Sequence, residues 1–152
     1  MTTRTKNPSA HHLLLSLSVT GGFLAGAQLE FADGLNCLIG GRGTGKTTVL
    51  EFLRFGLGLM PDLKINPQRH RAIDALVKAN LGNGRLTIEL RTKMDMRYTA
   101  ACSAHETIQV LNEVGTAVPI SLDRDQIFGA DVFSQNQIEE IASSPEIGRA
   151  HV

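Results

Sequence analysis

A glycine-rich segment at residues 40–47, GGRGTGKT, constrains the fold of this chain more than any other feature. It fits the pattern G-x-x-x-x-G-K-[ST] of the phosphate-binding P-loop. The fixed positions of that pattern are Gly40, Gly45, Lys46 and Thr47. Glycines let the backbone turn tightly and point successive N–H groups inward at an anion. The segment therefore predicts a loop that binds the phosphates of a nucleotide.

The residues on either side of the loop have the pattern that a P-loop requires. The apolar run at 35–39 predicts a buried strand, in which Cys37 is a small core residue. Residues 46–57 predict a helix, because their apolar side chains recur on one helical face. A strand, a glycine loop and a helix in this order form the P-loop unit.

The polar residues of the loop are of the types that bind a nucleotide with Mg²⁺. Lys46 supplies a point charge for the β- and γ-phosphate oxygens, and Thr47 offers a hydroxyl to the metal ion. The positive end of the following helix favours the same anion. Arg42 either contacts phosphate or nucleic acid or is a solvated loop charge. The predicted nucleotide-binding residues are Gly40, Gly41, Arg42, Gly43, Thr44, Gly45, Lys46, Thr47 and Thr48.

The composition of the 152 residues is that of one globular domain, since 42% of them are apolar and a disordered chain has fewer. The formal net charge is zero, but residues 1–99 carry about +6 and residues 100–152 about −6. This asymmetry marks either a polyanion-binding face or two halves that attract each other.

Two isolated cysteines exclude a disulfide framework. Neither a membrane span nor a signal peptide is predicted, so we expect a cytoplasmic protein.

Periodicity predicts a β-rich chain around the loop and its helix. Strands are predicted at 13–19, 27–31, 85–93, 97–103, 107–111 and 131–133. Further helices are predicted at 67–81 and 136–142. Glycine pairs and an Asp-Gly turn punctuate these segments.

The stretch Phe31–Gly58 resembles the N-terminal ATPase segment of the SMC-like and RecF-like branch of ABC-type ATPases, with Asn36 in the strand before the loop. This resemblance implies an α/β P-loop NTPase fold with an antiparallel β-subdomain beside the P-loop strand and helix. Residues 12–143 would be the N-terminal part of the ATPase head, preceded by a flexible arm at 1–11. Residues 144–152 are predicted to be a non-native or truncated tail, because their end resembles a translated sequencing adapter.

A second part of the resemblance lies downstream. Residues 132–141 resemble the Q-loop, a strand that ends in a glutamine before a helix. The resemblance implies that Gln135, with Gln137 as the alternative, contacts Mg²⁺ and its water and is catalytic together with Lys46. The basic triplet at 69–71 corresponds either to the family's basic loop near nucleotide or DNA, or to the polar start of a helix.

Other parts of such an ATPase are not found. The sequence contains no LSGG-type signature and no Walker B strand, and Asp131 follows too few apolar residues to belong to one. The resemblance implies ATP and Mg²⁺ as ligands, a second ATPase head as homodimer partner, and a role in DNA repair, DNA maintenance or phage defence. Hydrolysis would require the Walker B glutamate of the complete protein.

Two other functions are compatible with the same loop. A small P-loop kinase would transfer the γ-phosphate to a metabolite or nucleotide, although about forty residues with strand character precede the loop here. A nucleotide-gated DNA-binding module would use the basic first half, because contacts with the phosphate backbone dominate DNA affinity.

Overall fold

A computed structural model describes residues 11–123 and 127–143. The predicted arm, apart from His11, and the predicted tail lie outside the described residues. Within these ranges the strands are β1 (Leu13–Val19), β2 (Gln28–Glu30), β3 (Arg85–Arg91), β4 (Arg97–Ser103), β5 (Gln109–Leu111) and β6 (Ala117–Val118). The helices are α1 (Lys46–Gly56), α2 (Pro67–Leu81) and α3 (Gln135–Ser143). A short 3₁₀ turn, Gly22–Leu24, connects β1 to β2.

The strands form one antiparallel sheet in the order β2-β1-β3-β4-β5-β6. The hairpin of β3 and β4 pairs over its full length, from Arg85 opposite Ser103 to Arg91 opposite Arg97. On β3 the predicted alternation is confirmed, since Leu86, Ile88 and Leu90 are completely buried. This sheet is the structural base on which the glycine loop and its helix are placed.

Helix α1 packs directly on β3. A Cβ atom at Gly56 would lie 2.5 Å from Cδ1 of Ile88 and 3.0 Å from Cδ2 of Leu86, so a larger residue there would displace these two side chains. One turn earlier, the ring of Phe52 is completely buried in the core. The sheet therefore fixes the position of α1, and with it the loop that precedes α1.

Helix α2 has the end signals that its sequence predicts. The side chain of Asn66 accepts a hydrogen bond from the backbone N–H of Arg69, and Pro67 begins the first turn. Gly82, with a φ of 56°, follows the last residue. The apolar stripe of α2 is buried at Ile73, Val77 and Leu81.

Two predicted strands are wrong. Residues 35–39 and 131–133 are irregular, and Leu35 and Ile39 are 91% and 95% exposed. Cys37, predicted to be a core residue, is also exposed. The apolar run leaves the sheet after β2, and no strand of the described residues lies alongside it. A segment without a neighbouring strand has no ladder of hydrogen bonds and buries neither face.

Candidate nucleotide-binding site

The glycine loop has a backbone conformation that favours glycine at two of its positions. Gly43 and Gly45 have φ values of 80° and 93°, in the left-handed region that favours glycine. A Cβ atom at Gly40 would lie 2.5 Å from Oγ1 of Thr44. That hydroxyl donates a 2.8 Å hydrogen bond to the carbonyl oxygen of Gly41, which closes the loop. The predicted glycine pattern therefore has a structural basis at these positions.

The ammonium group of Lys46 lies at the loop that precedes it. Its Nζ atom donates hydrogen bonds to the carbonyl oxygens of Gly40, at 2.5 Å, and Gly41, at 2.6 Å. Oγ1 of Thr44 lies 3.5 Å from the same nitrogen. The Lys46 side chain thus extends from the first turn of α1 to the first two residues of the glycine loop. This places a positive charge at the site that the sequence assigns to phosphate.

The N-terminus of α1 adds further donors. Gly45 is the N-cap residue and has no side chain with which to cap the first N–H groups. Acidic residues are absent from the first turn of this helix, so the positive end of its dipole is not neutralised there. The hydroxyl-bearing residue Thr47 is exposed, whereas Thr48 is buried. These donors, the lysine and an accessible hydroxyl fit the phosphates of a nucleotide and a Mg²⁺ ion.

Asn36 holds the turn that leads into the loop. Its Oδ1 atom accepts a 2.8 Å hydrogen bond from the N–H of Ala32, and its Nδ2 atom donates to the carbonyl oxygens of Ala32 and Gly34. Gly34 itself has a φ of 103°. The asparagine therefore stabilises this turn through its side chain. Arg42, at the tip of the loop, is exposed.

The two candidate Q-loop glutamines, Gln135 and Gln137, have different surroundings. Gln135 is the first residue of α3 and is exposed. The side-chain oxygen of Gln137 instead accepts a 3.0 Å hydrogen bond from the N–H of Ser134, as in a capping box. No hydrogen bond or ion pair within the described part of the chain joins Gln135 to the glycine loop. The hydrogen bonds described above therefore join residues of the loop to one another, and the role of Gln135 stays a prediction.

The basic triplet at 69–71 is largely used inside the protein. Arg69 donates from Nη2 to Oγ of Ser134 at 2.9 Å, and Nδ1 of His70 lies 2.7 Å from the carbonyl oxygen of Pro61. Burial lowers the pKa of the Arg69 guanidinium, and the positive charge of Arg54 lowers it further. Arg71 is exposed. The triplet is thus the polar start of α2, and Arg71 is its accessible cation.

A buried ion pair on α1 lies near Arg69. Nε of Arg54 donates to Oε2 of Glu51 at 2.8 Å, and both side chains are about 5% exposed. Nη2 of Arg54 is buried and has no hydrogen-bond partner among the described residues. The negative charge of Glu51 acts on Arg69 in the direction opposite to that of Arg54. This pair could not be predicted from the sequence, since both residues lie on a helix with an ordinary amphipathic pattern.

A cavity of about 540 Å³ lies between the segment that follows β2 and residues 128–133. One wall comes from residues between 31 and 36, and the other from residues 128–133. Leu50, Leu53 and Leu57 of α1 and its C-cap also line the cavity. Local sequence pattern does not predict this cavity, because the cavity depends on which strands pair in the sheet.

The glycine loop, its lysine and the helix on an α/β framework define a nucleotide-binding domain. A family model described as AAA domain matches residues 15–143, and the chain belongs to this family of nucleotide-binding ATPases. Domains of this family generally bind ATP with Mg²⁺. No curated protein matches the chain at a significant level. No helix in the described ranges is long and apolar enough to cross a membrane.

Proposed function

We propose that the chain binds ATP with Mg²⁺ at residues 40–48. The observation that carries this proposal is the position of the Lys46 ammonium group, which is held at the carbonyl oxygens of Gly40 and Gly41. Backbone N–H groups of the loop and of the first turn of α1 would bind the phosphate oxygens. Thr47 would provide its exposed hydroxyl to the metal ion. Mg²⁺ would supply charge neutralisation at the phosphates.

We further propose that the chain is the N-terminal part of an SMC-like or RecF-like ATPase head. The resemblance of Phe31–Gly58 and of the segment around Gln135 supports this assignment. The exposure of Leu35 and Ile39 supports it as well, because strands from the rest of a head would pair with residues 35–39 and cover these side chains. Such strands would also bring the Walker B glutamate. In a complete head, Gln135 would contact Mg²⁺ and its water.

The partners of the complete protein follow from the same assignment. Two heads would form a homodimer around ATP, and the protein would act on DNA in repair, maintenance or phage defence. The exposed Arg71 and Arg42 are two side chains that would be available for contacts with phosphate of nucleic acid. Arg69 is less suited, because it is bonded to Ser134.

A test of the proposal measures binding and turnover on the same preparation. We expect Mg-ATP to raise the melting temperature of the chain, since a ligand that binds only the folded state stabilises it. We expect phosphate release no faster than that of the Lys46→Ala variant, because the sequence contains no Walker B glutamate to activate water. Hydrolysis that depends on Lys46 at the rate of an intact ATPase would contradict the assignment as part of a head.

The same preparation separates the two alternative functions. A small kinase would transfer phosphate from ATP to nucleoside monophosphates, whereas an ATPase head would not. A DNA-binding module would bind duplex DNA with an affinity that falls steeply with salt. Reversal of charge at Arg71 would weaken that binding and reduce its salt dependence, with Lys64→Glu as a control at another exposed cation.

A further inference from the structure

Charged side chains from three helices act on one another beside the start of α3. Arg54 and Glu51 of α1 form an ion pair at 2.8 Å, and both side chains are buried. The charges of this pair act on Arg69 of α2, which donates a hydrogen bond to Ser134. The charge of Glu140, on α3, also acts on Arg69. The guanidinium group of Arg69 is therefore the point at which α1, α2 and α3 interact through polar groups.

Stability alone does not account for the buried pair of Glu51 and Arg54. Removing two charges from water has a large cost in free energy, and their mutual attraction often only offsets it. Nη2 of Arg54 is buried, and no group among the described residues accepts a hydrogen bond from it. Two apolar side chains of similar size would avoid both costs. Net stability therefore does not explain why these two charges are buried on α1.

The two charges of the pair act on Arg69 in opposite directions. Burial lowers the pKa of the Arg69 guanidinium and Arg54 lowers it further, whereas Glu51 raises it. Without the carboxylate, the positive charges of Arg54 and Arg69 would repel each other where water screens them only in part. Glu51 thus offsets a repulsion that would displace Arg69 from Ser134.

Ser134 is tied to the first turn of α3. Its N–H donates to Oε1 of Gln137 at 3.0 Å, and its carbonyl oxygen accepts from the N–H of Ile138 at 3.2 Å. Its hydroxyl is the group that Arg69 holds, at 2.9 Å. A shift of Arg69 would therefore be felt by the first turn of α3.

The other end of this connection lies in the proposed phosphate site. Lys46 is the first residue of α1, and Glu51 follows it by five residues, about 7.5 Å along the helix axis. Phosphate bound at the first turn would restrict the motion of α1, and the ion pair moves with α1. A ligand that orders one element in this way lowers the entropic cost of ordering the elements joined to it.

We propose that the Glu51–Arg54 pair positions Arg69 and thereby couples nucleotide binding at residues 40–48 to the order of α3. This inference rests on the proposed function and concerns the regulation of the same site. The connection runs through the body of α1 and through Arg69, so it requires no contact between Gln135 and Mg²⁺. Glu51 and Arg54 are positioning residues, since they act on α3 only through Arg69.

The test is amide hydrogen exchange of the full chain with and without saturating Mg-ATP, followed separately for residues 40–48 and 135–143. We expect ATP to slow exchange of the wild type in both regions, by at least about fivefold in α3, the lower end of typical coupling factors. The double variant Glu51→Leu/Arg54→Met removes both charges and keeps the site filled, so it should remain folded. ATP should slow its exchange at 40–48 as in the wild type, but change that at 135–143 by less than about twofold.

A second variant and a control complete the test. Ser134→Ala removes the acceptor of the Arg69 bond and leaves the buried pair intact, so it should also lose the response of α3 to ATP. It decides the question even if the double variant does not fold. The control is Asp74→Leu/Lys78→Met, which removes an ion pair of 2.7 Å on a more exposed part of α2 and should respond like the wild type.

The outcomes separate this inference from the proposed function. A response of α3 equal to that of the wild type in Glu51→Leu/Arg54→Met or in Ser134→Ala would overturn the coupling and leave the phosphate site in place. Loss of the response in the Asp74→Leu/Lys78→Met control would also overturn it, because the effect would not be specific to the buried pair. In the wild type, slower exchange at 40–48 without any change at 135–143 would overturn the coupling alone. No change in either region would overturn the proposed function as well.

Discussion

Nη2 of Arg69 donates a 2.9 Å hydrogen bond to Oγ of Ser134, a residue 65 positions further along the chain. Arg69 lies in the first turn of α2, and Ser134 directly precedes α3. The bond therefore connects the helix that packs on α1 to the helix that begins with Gln135. Gln135 is proposed to contact Mg²⁺ in a complete head. The bond between Arg69 and Ser134 would then help to position α3, and with it Gln135.

The strength of this connection can be measured with a double-mutant cycle on Arg69→Ala and Ser134→Ala. We expect a coupling free energy of unfolding of about 1 kcal/mol, because the bond is charge-assisted and only partly buried. The control cycle pairs Arg71→Ala with Ser134→Ala and should be additive to within about 0.5 kcal/mol. Urea denaturation provides the four free energies. Additivity in the Arg69 cycle would show that the bond does not hold α3.

The two glycines at 41 and 45 should respond differently to alanine. Gly45 has a φ of 93° and its Cβ would meet Leu24, whereas a Cβ at Gly41 would meet nothing within 4 Å. We expect Gly45→Ala to lower the free energy of unfolding by about 1–2 kcal/mol, since a left-handed backbone is strained for alanine. Gly41→Ala should change it by less than about 0.5 kcal/mol. Equal free energies for the two variants would contradict the loop conformation described above.

Burial of Cys102 makes stability depend on alkaline pH. Burial raises the pKa of this thiol from its ordinary value of 9.0 to about 11, because the thiolate loses its solvation. The unfolded chain ionises the thiol above pH 9 while the folded chain keeps it neutral up to about pH 11. This residue therefore lowers the free energy of unfolding as pH rises through that window, by about 2–3 kcal/mol in total.

The check is urea denaturation at several pH values between 9 and 11. We expect Cys102→Ala to show a smaller loss of stability over this window than the wild type. Cys37→Ala is the matched control, because Cys37 is exposed and should leave the pH dependence unchanged. A Cys102→Ala variant with the full wild-type loss would rule out this thiol as its source.

The sequence predicted the elements whose signals are local. Helix α2 begins and ends at the predicted residues, since Asn66, Pro67 and Gly82 carry its end signals. Strand β1 also has its predicted bounds, and β3 has its predicted alternation. The short strand β6 was missed, because a pair as brief as Ala117–Val118 shows no periodicity and forms only where β5 offers a partner.

Elements that depend on distant partners were not predictable from local pattern. The run at 35–39 has the composition of a buried strand, yet strand formation requires a neighbour that the described chain does not provide. Residues 131–133 were predicted to be a strand for the same reason, and they also have no neighbouring strand in the described chain.

Within the site, the motif predicted a glycine loop, and Gly43 and Gly45 have the positive φ values that favour glycine. The binding role of Lys46 stays a prediction. The contact of Phe23 with Gly45 was not predicted, because it depends on the packing of a turn that lies 22 residues earlier.

The proposed role of Lys46 is tested most directly by calorimetric titration of wild type and Lys46→Ala with Mg-ATP, with Lys64→Ala as the control at an exposed lysine elsewhere. We expect binding by the wild type and by Lys64→Ala, and binding weakened at least about tenfold in Lys46→Ala, because one charge-assisted hydrogen bond to phosphate contributes on this order. Identical binding heats for wild type and Lys46→Ala, or no heat with either, would contradict the assignment of residues 40–48 as the nucleotide site.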